Sequence, residues 1–194
     1  RTLAEVAKVI RPGVTTAELD KVAYEFICDN GGIPSCLGYE GYPATLCTSV
    51  NEQVVHGIPS DKVILKDGDI VSVDTVVKLG GFCADSAYTF PVGDVAPEVL
   101  QLMRTTKEAL YLGIEQAVTG RRLGDIGAVI QQHCEKAGYS VVREFVGHGI
   151  GRDMHEDPEV PNFGKPGRGP RLVPGMTICI EPMINSSTSE VIVL

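Results

Sequence analysis

The sequence predicts an α+β fold in which one αβ unit is used twice, and two kinds of segment indicate this. Residues 13–31 and 120–138 both carry apolar residues at helical spacing and end at a glycine, so each predicts an amphipathic helix. GDIVSVD at 68–74 and GMTICIE at 175–181 both predict a strand that ends on a carboxylate. The second copy of each segment begins 107 positions after the first, so a duplication explains all four.

The other elements follow in order along the chain. The opening residues predict an amphipathic helix, and Thr15 with Glu18 predicts a capping box for the helix that follows. Residues 97–118 predict a long helix, and the Gly/Pro-rich residues 161–175 predict a loop. The closing VIVL predicts a final strand.

No linker or low-complexity segment divides the chain. We therefore expect a single domain over residues 1–194, with the internal duplication covering approximately 13–90 and 120–194.

The composition predicts a cytoplasmic globular protein that binds neither nucleic acid nor membrane. The 194 residues are 43% hydrophobic and 22% charged, and the net charge of −8 offers no attraction to phosphates or anionic lipids. No apolar run approaches the roughly 20 residues that cross a bilayer, and no signal peptide is visible. The six cysteines lack CxxC spacing, which favours free thiols over a Cys-based zinc site.

A predicted hairpin at DTVVKLGGFCAD brings two acidic residues together. With the turn at Leu79–Gly80, Asp74 stands directly opposite Asp85. Like charges at facing positions destabilise a sheet, and bound divalent cations would compensate. The alternative is a pair of solvated carboxylates at a sheet edge.

Three histidines are candidates for chemistry. His148 and His155 share one glycine-rich loop, GHGIGRDMHEDP, and His56 precedes Gly-Ile-Pro. Glycine on both sides of His148 permits close approach of a ligand. Surface histidines remain the alternative.

Two glutamates complete the inventory. Glu181 ends an apolar strand and is held extended by Pro182, and Glu190 stands near the duplication offset from Asp85. A carboxylate-rich set with one strong histidine favours hard or borderline divalent ions, and bridging carboxylates suit two metals about 3.5–4 Å apart. The residues thus predict metal-assisted hydrolysis.

The ordered set of ligands and its context resembles the type I methionine aminopeptidases over nearly the whole chain. The context consists of GYPATLCTSVNEQVVHGIP, LKDGDIVSVD, GFCADSAYTF, FVGHGIG, MHEDPEVPNFG and VPGMTICIEPMIN. The resemblance implies a pita-bread fold with two pseudo-symmetric halves around a central antiparallel sheet. It also implies removal of the initiator methionine from nascent polypeptides when the second residue is small, by attack of a metal-bridged water.

The resemblance also implies roles for individual residues. Two divalent ions (Co, Mn, Fe or Zn) would be held by Asp74, Asp85, His148, Glu181 and Glu190. Glu181 would act as general base, His155 would stabilise the tetrahedral intermediate, and His56 would assist at the new amine.

A methionine pocket is implied as well, to which His56 and His155 also contribute. Its further lining would be Cys36, Tyr39, Tyr42, Cys47 and Met154, because sulfur and aromatic surfaces suit a thioether. Ordinary core packing is the alternative for this group.

The sequence departs from the family near its end. Glu181 and Glu190 are only nine residues apart, and Val191–Ile192 replaces the usual His-Thr pair. The identity of Glu190 as a ligand depends on this segment.

Two competing functions share the fold. One is cleavage before proline, as in aminopeptidase P and prolidase, and the other is a non-catalytic binding protein.

Lys165, Arg168 and Arg171 suggest a contact with the ribosome, against the alternative of a solvated loop. The resemblance implies a monomer.

Overall fold

The computed structural model describes residues 1–193, which divide into two compact units. The first unit consists of residues 1–96 and 151–154. The second unit consists of residues 97–150 and 155–194, of which Leu194 lies outside the described residues. No helix in residues 1–193 combines the length and hydropathy that a membrane crossing requires. The prediction of a single domain over 1–194 stays a prediction.

The first unit combines two helices with an antiparallel sheet. Its elements are α1 (Thr2–Ala7), α2 (Thr16–Asp29), β1 (Ile33–Pro34), a 3-10 turn (Tyr39–Gly41), β2 (Cys47–Val50), β3 (Ile70–Leu79) and β4 (Phe82–Pro91). Strand β3 is central, since β1 and β2 pair with it along one edge and β4 along the other. Apolar residues from α1, α2 and β3 close over a core that contains Val6, Leu19, Leu46, Val71 and Val73.

The β3–β4 hairpin turns one residue later than the sequence predicts. Its loop is Gly80–Gly81, with φ of 60° and 88°, and Leu79 pairs with Phe82. Asp74 therefore faces Ala87 and Asp85 faces Val76, so the predicted direct pairing of the two aspartates is wrong. Two consecutive glycines take the left-handed conformations of a tight hairpin loop at no steric cost, whereas Leu79 would not.

The second unit contains two long helices and two short ladders. Its elements are α3 (Pro97–Gln116), α4 (Leu123–Lys136), β5 (Ser140–Val141), β6 (Gly147–Gly149), β7 (Glu156–Val160) and β8 (Ile184–Asn185). Strand β5 pairs with β8, and β6 pairs with β7 across a bulge after His148. The core lies between α3 and α4 and includes Ala109, Leu123, Ile126, Ile130 and Val160.

Two predicted strands of the second unit differ in the structure. The segment 175–181 is extended but holds only an isolated bridge, between Ile178 and Gly149. The closing segment forms no strand over 191–193, and Leu194 lies outside the described residues.

The same backbone contacts recur in both units at the offset seen in the sequence. Helix α2 begins at Thr16 and α4 at Leu123, which are 107 positions apart. The bridge of Thr15 with Ile64 recurs as Arg122 with Arg171. The pairing of β1 with β3 likewise recurs as β5 with β8, at equivalent residues. Each unit is therefore built on the same local plan.

Candidate functional site

In the second unit, His148 lies on β6 with its imidazole fixed by two contacts. Nδ1 lies 2.8 Å from the Gly149 carbonyl oxygen, and Nε2 lies 3.3 Å from Glu181 Oε1. A histidine that donates from Nδ1 to a carbonyl presents the lone pair of Nε2, the arrangement found at metal-ligating histidines. The side chain of His148 is 13% exposed, so the imidazole as a whole is largely shielded from bulk water.

The two glycines beside His148 are required by the close packing of the backbone. A Cβ on Gly147 would lie 2.2 Å from the Cys179 carbonyl oxygen, and one on Gly149 would lie 2.2 Å from that of Asp157. No side chain fits at such distances. The glycines predicted to let a ligand approach therefore serve to bring neighbouring backbone segments against β6.

Three potential ligand atoms converge around His148. Together with His148, the side chains of Cys179 and Glu181 offer ligand atoms that all lie within 4.8 Å of one another, and we call these three residues the donor cluster. Glu181 Oε1 is buried from solvent. Burial of carboxylate oxygens is unfavourable unless a cation or hydrogen bonds compensate. The donor cluster therefore fits a divalent metal ion by its chemistry.

Asn162 fixes the backbone of Glu181. It is fully buried, and its Nδ2 donates a 2.7 Å hydrogen bond to the Glu181 carbonyl oxygen. The residue lies in the motif MHEDPEVPNFG, but the sequence alone does not predict a role for it. Its place between Pro161 and Phe163 in the sequence gives no sign of this contact.

His155 accompanies His148 in the second unit. The two ring centroids are 4.4 Å apart with the rings nearly perpendicular, and His155 is exposed. An exposed imidazole edge-on to the histidine of the donor cluster is accessible to a bound molecule. Glu190 is different: it is exposed, its N–H donates to Thr188 Oγ1, and it lies outside the donor cluster found among the described residues.

In the first unit, Asp74 and Asp85 share one face of the β3–β4 hairpin. Because Asp85 pairs with Val76, two positions from Asp74, the aspartates are diagonal neighbours with both side chains on the same side. Cys47 faces Asp74 directly from β2. Asp74 Oδ1 is buried from solvent. The two carboxylates are therefore placed to share a cation, although by a different register from the predicted one.

A cluster of sulfur and aromatic side chains lies on the same unit. Cys36, Met154 and Val76 are buried together, and Tyr42 and Cys83 pack against them. We call these five residues the sulfur cluster. Cys47 adjoins it through a hydrogen bond between its thiol and the Tyr42 hydroxyl. Tyr39 lies outside this cluster among the described residues, and it is 40% exposed.

Burial keeps the thiols of this region uncharged. Desolvation raises the pKa of Cys36 to about 12, and it raises that of Cys47 to about 11. The nearby carboxylates of Asp74 and Asp85 contribute smaller parts of both shifts. At neutral pH the thiols are thus polarisable, neutral surface that suits an apolar side chain.

His56 is presented by a tightly held turn of the first unit. Its φ is +59°, and it is exposed. The next residue, Gly57, is pressed so closely against β2 that a Cβ there would lie 2.3 Å from the Thr48 carbonyl oxygen. Ser49 Oγ accepts the Gly57 N–H, and the Tyr42 hydroxyl lies 3.1 Å from the Gly57 carbonyl oxygen.

Comparison with known proteins agrees with these features. The family model described as metallopeptidase family M24 matches residues 1–192. The chain belongs to metallopeptidase family M24.

Its curated M24 relatives match almost the whole chain. It is 53% identical to the methionine aminopeptidase of Clostridium acetobutylicum over 96% of the chain and 75% of that protein. It is 55% identical to the methionine aminopeptidase of Clostridium perfringens over 98% of the chain and 76% of that protein. The chain thus spans about three quarters of the length of these relatives.

Solved structures show the M24 fold, the predicted pita-bread fold of mixed helices and sheet. The methionine aminopeptidase of Thermotoga maritima matches with a TM-score of 0.98 and 42% identity, over 100% of this chain and 78% of that chain. The prolidase of Pyrococcus furiosus matches with a TM-score of 0.76 at 20% identity, over 96% and 53%, and shares the fold alone. The M24 assignment also makes the chain a metallopeptidase, which accords with the donor cluster.

Proposed function

We infer that this chain is an aminopeptidase that removes the N-terminal methionine of polypeptides and depends on metal ions. The observation that carries this inference is the 50–55% identity to bacterial methionine aminopeptidases over nearly the whole chain. The relatives that cleave before proline are near 20% identical and share the fold alone. The geometry of each unit supports the same activity.

The sulfur cluster, with Cys47, supports selection of methionine. A thioether packs favourably against sulfur and aromatic surfaces, and neutral thiols impose no charge on it. Tyr39 is carried over from the family resemblance and belongs to the proposal, as do the contributions of His56 and His155. A pocket of fixed depth would exclude a bulky second residue by steric clash, so we propose a preference for small ones.

The ligands proposed for two divalent ions (Co, Mn, Fe or Zn) are carboxylates and one imidazole. Asp74 and Asp85 of the hairpin and His148 and Glu181 of the donor cluster supply them. Glu190, exposed in this structure, is retained only by the resemblance. When bound, such ions would supply the activation of a water molecule and the polarisation of a carbonyl oxygen.

Side chains of this protein carry out the remaining steps of the proposed reaction. Glu181 takes the proton of the attacking water, and Asn162 holds the backbone from which that carboxylate projects. His155 donates a hydrogen bond to the oxyanion of the tetrahedral intermediate. His56 contacts the amine that cleavage releases.

The setting of the activity is also proposed. The substrates are nascent polypeptides in the cytoplasm, and the chain acts as a monomer. Lys165, Arg168 and Arg171 are exposed cations that suit contact with the ribosome, where such substrates emerge.

Peptide hydrolysis tests the proposal. The metal-stripped chain would be supplied with Mn²⁺, Co²⁺ or Fe²⁺ and offered Met-Ala-Ser, Met-Leu-Ser and Ala-Pro-Ser. Metal-dependent release of methionine from Met-Ala-Ser alone is the expected result. Cleavage confined to Ala-Pro-Ser would move the activity to the proline-specific enzymes, and the folded chain's inactivity with every metal would refute the proposal.

A further inference from the structure

The donor cluster contains a sulfur atom that the proposed ligand set does not use. Cys179 Sγ lies within 4.8 Å of the ligand atoms of His148 and Glu181. We propose that Cys179 is a third ligand of this centre, so that a borderline or soft divalent ion is held through sulfur, nitrogen and oxygen together. The proposal names the ligands of the metal-dependent function above and rests on it.

The local backbone holds Cys179 on the side of His148. The Cys179 N–H donates a 2.7 Å hydrogen bond to the His148 carbonyl oxygen, and the Ile150 N–H donates a 3.2 Å bond to that of Thr177. These bonds join the two segments as an antiparallel pair around the bridge of Gly149 and Ile178.

Alternation along this extended segment gives Cys179 the same side as Glu181. Ile178 and Ile180 pack against the core of the second unit. Successive side chains of an extended segment point to opposite faces, so Cys179 and Glu181 are turned away from that core together. The backbone pairing therefore places the Cys179 side chain on the same side of the segment as that of Glu181.

The separations suit one shared ion. Ligand nitrogen and oxygen atoms at about 2.0–2.2 Å from a tetrahedral ion stand about 3.3–3.6 Å apart. His148 Nε2 and Glu181 Oε1 are 3.3 Å apart. A zinc–sulfur bond of about 2.3 Å would place a sulfur about 3.5–3.7 Å from such a nitrogen or oxygen, which is compatible with ligand atoms that all lie within 4.8 Å of one another.

A sulfur ligand changes which metals the centre prefers. Thiolates favour zinc, cadmium and cobalt, whereas carboxylates and water suit manganese and magnesium. The structure therefore assigns Cys179 a role in metal selection. With an oxygen ligand at this position, the site would prefer hard ions such as manganese and magnesium.

Cobalt absorption tests the assignment directly. The metal-stripped full chain would be titrated with Co²⁺ without oxygen, and the near-ultraviolet thiolate-to-cobalt charge-transfer band would be recorded. The band is expected in the unmodified chain and in Cys28→Ser, whose thiol is exposed on α2, and is expected to vanish in Cys179→Ser. Cys36→Ser and Cys47→Ser should retain it, which separates the donor cluster from the thiols of the first unit.

A second measurement does not depend on a variant. The ¹¹³Cd resonance of the Cd²⁺-loaded, unmodified chain should lie in the region of sulfur-ligated cadmium. In Cys179→Ser, checked for folding by circular dichroism, the Cd²⁺ affinity should fall by at least about 10–100-fold, the range seen when only an outer-shell partner of a metal ligand is removed. The Mn²⁺ affinity should change much less.

The outcomes separate the two proposals. Co²⁺ binding without a sulfur band, or a band that persists in Cys179→Ser, would overturn the role of Cys179 and leave the aminopeptidase function standing. Failure of the folded chain to bind any of these ions would overturn both. Hydrolysis of Met-Ala-Ser by the same preparations reports on the function independently of the ligand.

Discussion

Asp20 is the residue whose removal tests most sharply how the first unit shapes its pocket. It lies on α2, and one oxygen, Oδ1, accepts hydrogen bonds from the N–H groups of Thr45 (2.9 Å) and Leu46 (2.7 Å). Both residues are almost completely buried, and Cys47 follows directly. The Asp20 carboxylate therefore holds the segment that leads into β2 and the sulfur cluster.

The expected loss follows from leaving two buried donors without an acceptor. Each unsatisfied N–H costs about 1–3 kcal/mol, so Asp20→Ala should lower the free energy of unfolding by about 2–6 kcal/mol. Asp20→Asn can present the same Oδ1 to both donors, and we expect it to differ from the unmodified chain by about 1 kcal/mol. Asp29→Ala, on the exposed side of the same helix, is the matched control with little change.

The dependence on pH supplies a second readout for Asp20. Burial raises its pKa, against the opposing effect of the hydrogen bonds from Leu46 and Thr45. A carboxyl group with a raised pKa binds more protons in the folded chain than in the unfolded one. Its contribution to stability is therefore greatest below its ordinary pKa and declines as the pH rises through the folded value. In Asp20→Asn this decline should be absent.

Urea denaturation at several pH values measures both effects, with methionine release from Met-Ala-Ser as the readout of pocket geometry. Asp20→Ala should lose stability and raise the KM, whereas Asp20→Asn should retain both properties. Equal stability of Asp20→Ala and Asp29→Ala would refute the reasoning. So would an equally large loss in Asp20→Asn, since the neutral acceptor would then not suffice.

Three further outcomes are expected. Asn162→Ala should lower kcat for Met-Ala-Ser more than it raises KM, because the Glu181 backbone loses its 2.7 Å hydrogen bond; a change in KM alone would contradict this role. Thr15→Ala should lower the free energy of unfolding by about 0.5–2 kcal/mol, measured in urea, because it removes half of a complete capping box. Gly57→Ala should reduce stability and activity together, since its Cβ would meet the Thr48 carbonyl oxygen at 2.3 Å, and an unaffected variant would show that the turn carrying His56 can yield.

The hairpin shows why the sequence could predict the face of a residue more securely than its partner. Moving a two-residue turn by one position shifts every cross-strand partner by two, which leaves each side chain on its original face. The prediction of a turn at Leu79–Gly80 was therefore wrong about what stands opposite Asp74, yet Asp74 and Asp85 still share a face. The deciding factor was the left-handed backbone of Gly80 and Gly81.

Residues that act through buried backbone were beyond sequence reasoning. Asp20 and Asn162 each bond to main-chain atoms at least 19 residues away, and no local pattern distinguishes them from other polar residues. Glu190 shows the opposite problem, since a position near the duplication offset suggested a ligand and the structure leaves it exposed. Spacing alone does not determine which side chains meet.

The repeated plan of the two units separates scaffold from chemistry. Gly13 N–H donates to the Leu65 carbonyl oxygen, and 107 positions later Gly120 donates to Leu172. The helix caps differ between the two units. Thr15 and Glu18 form reciprocal hydrogen bonds at the start of α2. The Arg122 side chain has no acceptor, so the cap of α4 has only the hydrogen bond that the Arg122 backbone N–H donates to Asp125.

Asp74 and Glu181 also stand 107 positions apart, so the repeated backbone supplies both units with a carboxylate at an equivalent position. Their surroundings differ. Asp74 faces Cys47 across a regular antiparallel ladder. Glu181 lies two residues after Cys179, whose N–H donates a hydrogen bond to the His148 carbonyl oxygen. The repeat thus accounts for where carboxylates project. The unrepeated neighbours account for what each can bind: the thiols beside Asp74 are buried and protonated, whereas the thiol beside Glu181 shares its cluster with an imidazole.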